Sequence, residues 1–372
     1  MTTSEEHRVA TLLRAAAVPG PRVDIARAIR DGRRRRRRRQ TAVAATTAGL
    51  AVGVTALGVP WLGADRAVDR VAPPLASAPV SVAAPAALSC AAERLPMPID
   101  GPVAVALSVD PTGRHVLGEI GGGEENNHVV LWSAGSATVL PAAARHPGGV
   151  NAAGMVVGTD GAGAGWLWRG GGLVAVTTPA GYDRVLLYAI NGRGEIAGTA
   201  WGPGERHRAV VWTAEHPDQY QFAAPEGSSA TGITDDGTVF GELGARPYRW
   251  PGGPLALPAG VTTGTVEAVR GQWAIGTVPG EQHMILPVRW NLATGEVSRL
   301  PFGSADAVTR AGEVLATDGA PALLSADGSV RRLPGLPSGG TYQATGLSDD
   351  ARTVVGSVFE QSRYSPIVWR CN

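Results

Sequence analysis

The stretch "AINGRGEIAGTA", residues 189–200, decides the fold. A short apolar start meets Asn-Gly-Arg-Gly, and a small-residue strand follows, ending in Gly-Thr. Taken alone it suits a hairpin, a phosphate loop or one unit of a repeat. Its second half recurs as "GRHVLGE", "GMVVGTD", "GEIAGTA", "GTVFGEL", "QWAIGTV", "GEVLATD" and "RTVVGSV". The small residue in that frame is Gly118, Gly158, Gly198, Gly241, Gly276, Ala316 and Gly356, at intervals of 40, 40, 43, 35, 40 and 40 residues. A period this steady takes precedence over any single-motif reading.

Each copy carries further shared features. A short apolar element precedes the turn, as in "VALSVD", "YAINGR" and "TGLSDD". After the small-residue strand comes a loop, then a strand ending at Trp132, Trp168, Trp212, Trp250, Trp290 or Trp369, with Leu324 in that frame in copy six. A last strand closes near Pro141, Pro179, Pro225, Pro258, Pro301 or Pro334. Four short strands per copy match a β-propeller blade, so the sequence predicts an all-β, seven-bladed β-propeller over residues 90–372.

The ends agree with a closed ring. Copy seven stops at "IVWRCN" without a fourth strand, while an orphan Leu-Pro lies in "CAAERLPMP" before copy one. Glu93–Pro98 is therefore expected to complete the last blade as its outer strand. The two cysteines, Cys90 and Cys371, flank this seam, which reads as one disulfide stapling the closure in an oxidising compartment.

These units resemble the HAF-type extracellular repeats of bacteria, with a pattern near Ile-Asn-x-x-Gly-x-x-Val-Gly, a loop, then His-Ala-Phe-x-Trp. "AINGRGEIAGTA…RHRAVVW" carries the likeness with His207 and Trp212, and "NHVVLW" repeats it with His128 and Trp132. The resemblance covers residues 93–372. Phe is replaced by Val, Leu or Arg, and most copies lack the His. It implies a propeller at the cell surface and brings no catalytic residues.

The remainder of the chain has a different character. All 33 basic residues are Arg, as the codon bias of a high-GC, actinobacterial genome would give. Residues 1–40 hold twelve Arg against Glu5, Glu6, Asp24 and Asp31, a net of +8, so the net charge of +1 leaves −7 for the rest. Arg33–Arg39 abuts residues 41–63, a 23-residue stretch without a charge, long enough to cross a bilayer. Positive charge beside a span stays cytoplasmic, so the expectation is a basic tail (1–40) inside, a transmembrane helix (41–63), an Ala/Pro/Ser-rich linker (64–89) and an extracellular propeller. A retained anchor is preferred to a cleaved signal peptide, because forty residues are long for a signal n-region. The Arg run is read as topogenic, not as a nucleic-acid site. The amphipathic tail, with Val9, Leu12, Leu13 and Ala16 on one face, suits the inner leaflet or a cytoplasmic regulator such as a sigma factor.

Chemistry is sparse in the sequence. The seven His never fall in a metal-ligand spacing, and no cofactor or metal site is expected. "TDDGT" (234–238) and "SDD" (348–350) sit where copy three has its Asn-Gly turn, so their carboxylates read as turn formers. "GAGAGW" and "GGGEENN" lack the helix of a phosphate loop. From the small residue to the Trp frame the separations are 14, 10, 14, 9, 14, 8 and 13 residues, long in odd copies and short in even ones. Long loops on one face would form a rim, with Glu125, Asn127, Trp201, Arg206, Gln282, Arg363 and Tyr364 as candidate binding residues for an envelope protein or glycan. The expected role is therefore a membrane-anchored, noncatalytic binding or scaffold module. The rivals are transmembrane signalling through the tail, and a hydrolase or lyase with a central-channel site. The inner strands ("VALS", "GVNA", "YAIN", "TGIT", "EAVR", "DAVT", "TGLS") are nearly all apolar or hydroxylic, which counts against the last.

Overall fold

The computed structural model describes residues 89–122, 127–281 and 284–372, all within the second of two compact units, Arg66–Asn372. The readings of residues 1–88, the tail, the span and most of the linker, lie outside the described residues. No helix among the described residues is long and apolar enough to cross a membrane. They form an all-β array whose one short 3-10 turn is Pro203–Glu205.

Copies two to six each fold as a four-stranded antiparallel meander in chain order. Copies seven and one share an eight-stranded sheet, joined where Val103 pairs with Tyr364 in parallel. The first strands are Val103–Val109, Pro147–Val150, Arg184–Ile190, Ser228–Ile233, Thr265–Arg270, Ser304–Val308 and Thr341–Leu347. Each touches the next, and the last touches the first, so they form a closed cycle at the centre. The cores follow the same order. Each apolar cluster lies between consecutive copies, for example Leu117 and Val129 against Val156 and Trp166, and the set closes with Val355 and Val368 against Ala104 and Val116.

The repeated small residue has a steric cause. Every first strand carries a one-residue bulge, as between Leu187 and Ala189, which drives its backbone toward the second strand. A Cβ on Gly241 would sit 1.8 Å from the Ser229 carbonyl oxygen, and one on Gly276 would sit 1.8 Å from that of Thr265. Only glycine admits this approach without a shift. Copy six has Ala316 in this frame and keeps the same bulge, between Ala305 and Ala307.

The Trp frame has a more selective role than the sequence suggests. In odd copies the indole N–H reaches the preceding sheet: Trp132 donates to the Pro96 carbonyl at 2.7 Å, Trp212 to Thr177 at 2.8 Å, Trp290 to Ala256 at 2.6 Å and Trp369 to Pro334 at 2.7 Å. Even copies lack this staple at the Trp-frame position itself. In copy two the buried indole is that of Trp166, which donates to Arg145 at 2.8 Å, while Trp168 is half-buried. The Trp250 N–H is buried without an acceptor, and copy six has Leu324. The odd–even alternation read from loop lengths thus recurs in the packing.

The seam closes as expected, slightly earlier in the chain. Cys90–Arg94 pairs antiparallel with the last strand, Arg363–Cys371, as its outer partner. Cys90 and Cys371 lie opposite each other in that register and are disulfide-bonded across 281 residues of chain.

Two outcomes follow. Gly241→Ala or Gly276→Ala is expected to cost about 1–3 kcal/mol in urea denaturation, as overpacking does, and Ala316→Gly no more than about 1 kcal/mol; equal effects at all three would contradict the steric account. Peptide mapping without reductant recovers Cys90 linked to Cys371, and replacing both by Ser lowers stability by about 2–5 kcal/mol.

Candidate functional site

The bulges place side chains where the ring has its free edge. In copies three, five and six the skipped residues are Tyr188, Glu267 and Asp306. Each lies on a first strand, whose other edge pairs with its own sheet, so exposure here opens toward the centre. Tyr188 is 37% exposed, an unusual value for an innermost strand, and Glu267 is exposed too. Asp306 is 7% exposed and accepts a hydrogen bond from the Ser304 hydroxyl at 3.3 Å. Glu267 and Asp306 occupy equivalent positions on neighbouring strands. Tyr188 holds the same position two copies earlier.

In copies two to four the residue after the repeated glycine holds the next copy's strand just before its bulge. The Thr159 hydroxyl accepts from the Leu187 N–H at 3.1 Å, just before Tyr188. Thr199 does the same for the Ala230 N–H at 3.0 Å, before the bulge at Thr231. In copy four this residue is Glu242, which accepts from the Val266 N–H and from the Ser229 hydroxyl at 3.3 Å, directly below Glu267. From copies two, three and four this residue thus holds the next copy's strand, whereas Thr277 of copy five bonds Thr265 of its own copy at 2.8 Å and the Thr317 hydroxyl of copy six is buried without a partner. Burial pushes the Glu242 carboxyl up, and the like charge of Glu267 adds to that shift.

The turns closing each first hairpin use the side-chain chemistry expected of them. Asn191 accepts from the Arg193 and Glu195 N–H groups at 3.0 and 2.9 Å. Asp236 accepts from the Thr234 hydroxyl at 2.5 Å and the Thr238 N–H at 3.0 Å. Asp235 behaves differently, because its carboxylate leaves the turn to meet the Gly192 N–H at 2.9 Å and Arg310 at 2.5 Å. Among the described residues no group of three or more His, Cys, Asp or Glu is placed to hold a metal ion.

The expected rim residues sit at the other end of the sheets. Trp201 ends a second strand, stacks on His207 with centroids 4.5 Å apart, and has Arg184 5.9 Å from its ring. Arg206 turns away from it, over Tyr182 at 4.9 Å and to Glu226 at 3.5 Å. The Asn127 carbonyl accepts from Arg145 at 2.7 Å. Arg363 opens the last strand, and Tyr364 packs on Phe359 at 4.8 Å. These contacts are made within each loop or to its neighbour. Glu125 and Gln282 lie outside the described residues.

No protein-family model and no curated protein matches the sequence. Solved structures do. A catalytically inactive virginiamycin B lyase from Staphylococcus aureus, with quinupristin, matches with TM-score 0.52 at 13% identity, over 76% of this chain and 99% of that one. Oligogalacturonate lyase from Vibrio parahaemolyticus matches with TM-score 0.56 at 10% identity, over 76% and 97%. Likeness at this identity is one of fold, and the fold is propeller-like. The noncatalytic binding or scaffold role expected from the sequence is corrected here. The fold neighbours are lyases, and the few acidic residues of the mostly apolar inner strands, Glu267 and Asp306, occupy bulges there, as Tyr188 does.

Glu242 supplies a test with a definite sign. A carboxyl raised in the folded state opposes folding as pH climbs from the ordinary carboxylate range through its raised value. Glu242→Gln is expected to raise the melting temperature at pH 7–8, with the gain vanishing near pH 3; a gain independent of pH would point to packing instead.

Proposed function

We propose that this chain is an exported envelope enzyme, a hydrolase or lyase working at the centre of a seven-bladed β-propeller. The observation that carries the reading is the placement of Glu267 and Asp306 on equivalent bulges of neighbouring first strands, with Tyr188 at the same bulge of copy three. Elimination and hydrolysis both need one group to take a proton and another to give one, and two carboxylates with a phenol are a sufficient set. Seven blades agree with the closed cycle of first strands and with the cores between successive copies. Export agrees with the seam disulfide, which belongs to an oxidising compartment. The single span over 41–63, with the basic tail against the inner leaflet, holds the enzyme at the membrane, and the HAF-like repeat fits a surface location. On this reading an envelope glycan or peptide is substrate, guided by rim residues such as Trp201, Arg206 and Tyr364.

Purified full-length protein would be incubated with acidic and neutral polysaccharides and cyclic depsipeptides. Absorbance of a new carbon–carbon double bond reports elimination, and released acid reports hydrolysis. The expected result is turnover of one class, with kcat/KM reduced about 10²–10⁴-fold in Glu267→Gln or Asp306→Asn and the melting temperature unchanged. Turnover indifferent to both substitutions, or none across the panel, would contradict the proposal.

A further inference from the structure

The first-hairpin turns ring one mouth of the central channel, and hydrogen bonds and ion pairs link many of them. Arg114 donates to the Ala152 carbonyl at 3.0 Å, from copy one to two. The Asn151 amide donates to the Asn191 carbonyl at 3.0 Å, and the Asn191 amide to that of Thr234 at 2.8 Å, from two to three and three to four. The Asp349 N–H donates to the Pro111 carbonyl at 2.8 Å, from seven back to one. The remaining links do not follow the circle. Arg310 of copy six pairs with Asp235 of copy four at 2.5 Å, and Arg270 of copy five with Asp349 of copy seven at 3.4 Å. Each skips a copy, so each is a chord across the mouth. Arg310 also reaches Asp349 at 3.4 Å, which ties the chords together.

The turn of copy five is shaped for this. It is the two-residue turn Gly271–Gln272, between the paired Arg270 and Trp273. A Cβ on Gly271 would sit 2.8 Å from Cγ of Arg310, whose stem lies across it on the way to Asp235. Asp235 is held below the usual carboxylate range; burial pushes it up, and the Gly192 N–H and Arg310 more than offset that. Exposed pairs of this kind add little to stability.

We infer that Asp235, Arg270, Arg310 and Asp349 seal the turn-side mouth, so that the channel is a blind pocket entered only from the opposite side. The substrate is then a small molecule or the free end of a chain, and a polymer threaded through the ring is excluded. This rests on the proposed function, because it takes the pocket holding Tyr188, Glu267 and Asp306 as the site.

The test uses the full chain carrying Tyr188→Cys, modified by a small charged methanethiosulfonate reagent. Thr341→Cys, exposed at the open mouth, serves as the reference rate. Adding Arg270→Ala and Arg310→Ala, or raising salt to about 1 M where charges are screened within about 3 Å, is expected to speed modification of Cys at 188 by about threefold or more relative to the reference. Because salt opens the seal in the unaltered belt, a misfolded double variant does not remove the test. A reactive thiol indifferent to both treatments would overturn the seal and leave the central site standing. A thiol inert under every condition would overturn both.

Discussion

The structure depends on one close approach: a bulged first strand pressed against a second strand that has no side chain at the point of contact. The Ser229 and Thr265 carbonyls occupy the space where Cβ atoms of Gly241 and Gly276 would stand. This is why a glycine recurs at a period near forty residues, and why the residue after it matters. In copies two to four that residue holds the next copy's backbone just before its bulge, as Thr159 and Thr199 do. Copies two, three and four thereby set the inner edge of the next copy.

The same device places chemistry at the centre. A bulge re-aims one side chain per strand without altering the rest of the sheet. Gly148 fills this position in copy two, where a Cβ would lie 2.1 Å from the Leu187 carbonyl oxygen. In copies three, five and six it is filled by Tyr188, Glu267 and Asp306. The scaffold is near-symmetric, and its centre is not. Asymmetry also marks the turn-side mouth, where only copies four to seven contribute the charged chords.

Much of the fold was legible in the sequence because it is local. The repeat, the turn residues Asn191 and Asp236, and the existence of an outer strand at the seam, expected at 93–98 and found at Cys90–Arg94, all follow from patterns within a few residues. The seam disulfide was legible because the chain has two cysteines and both flank the seam. The central site was not. A bulge adds one residue to an apolar strand and leaves the period unchanged, so Glu267 in "EAVR" and Asp306 in "DAVT" read as ordinary strand residues. The sealing pairs were hidden for another reason: Asp235 and Arg310 are 75 residues apart, and Asp235 sits in a motif whose other carboxylate does form the turn. Trp166 replaced Trp168 because the staple depends on an acceptor in the neighbouring sheet, which the repeat frame does not reveal.

The most direct measurement is hydrogen exchange at the Ala230 amide in the wild-type chain and in Thr199→Val. Thr199 reaches Ala230 across a boundary between copies, so its loss removes the contact without touching either strand's own pairing. The account predicts exchange at Ala230 faster by about tenfold or more, the equivalent of about 1.4 kcal/mol, with the Leu187 amide held by Thr159 unchanged. Protection at Ala230 that survives the substitution would contradict the claim that copy three holds the bulge of copy four.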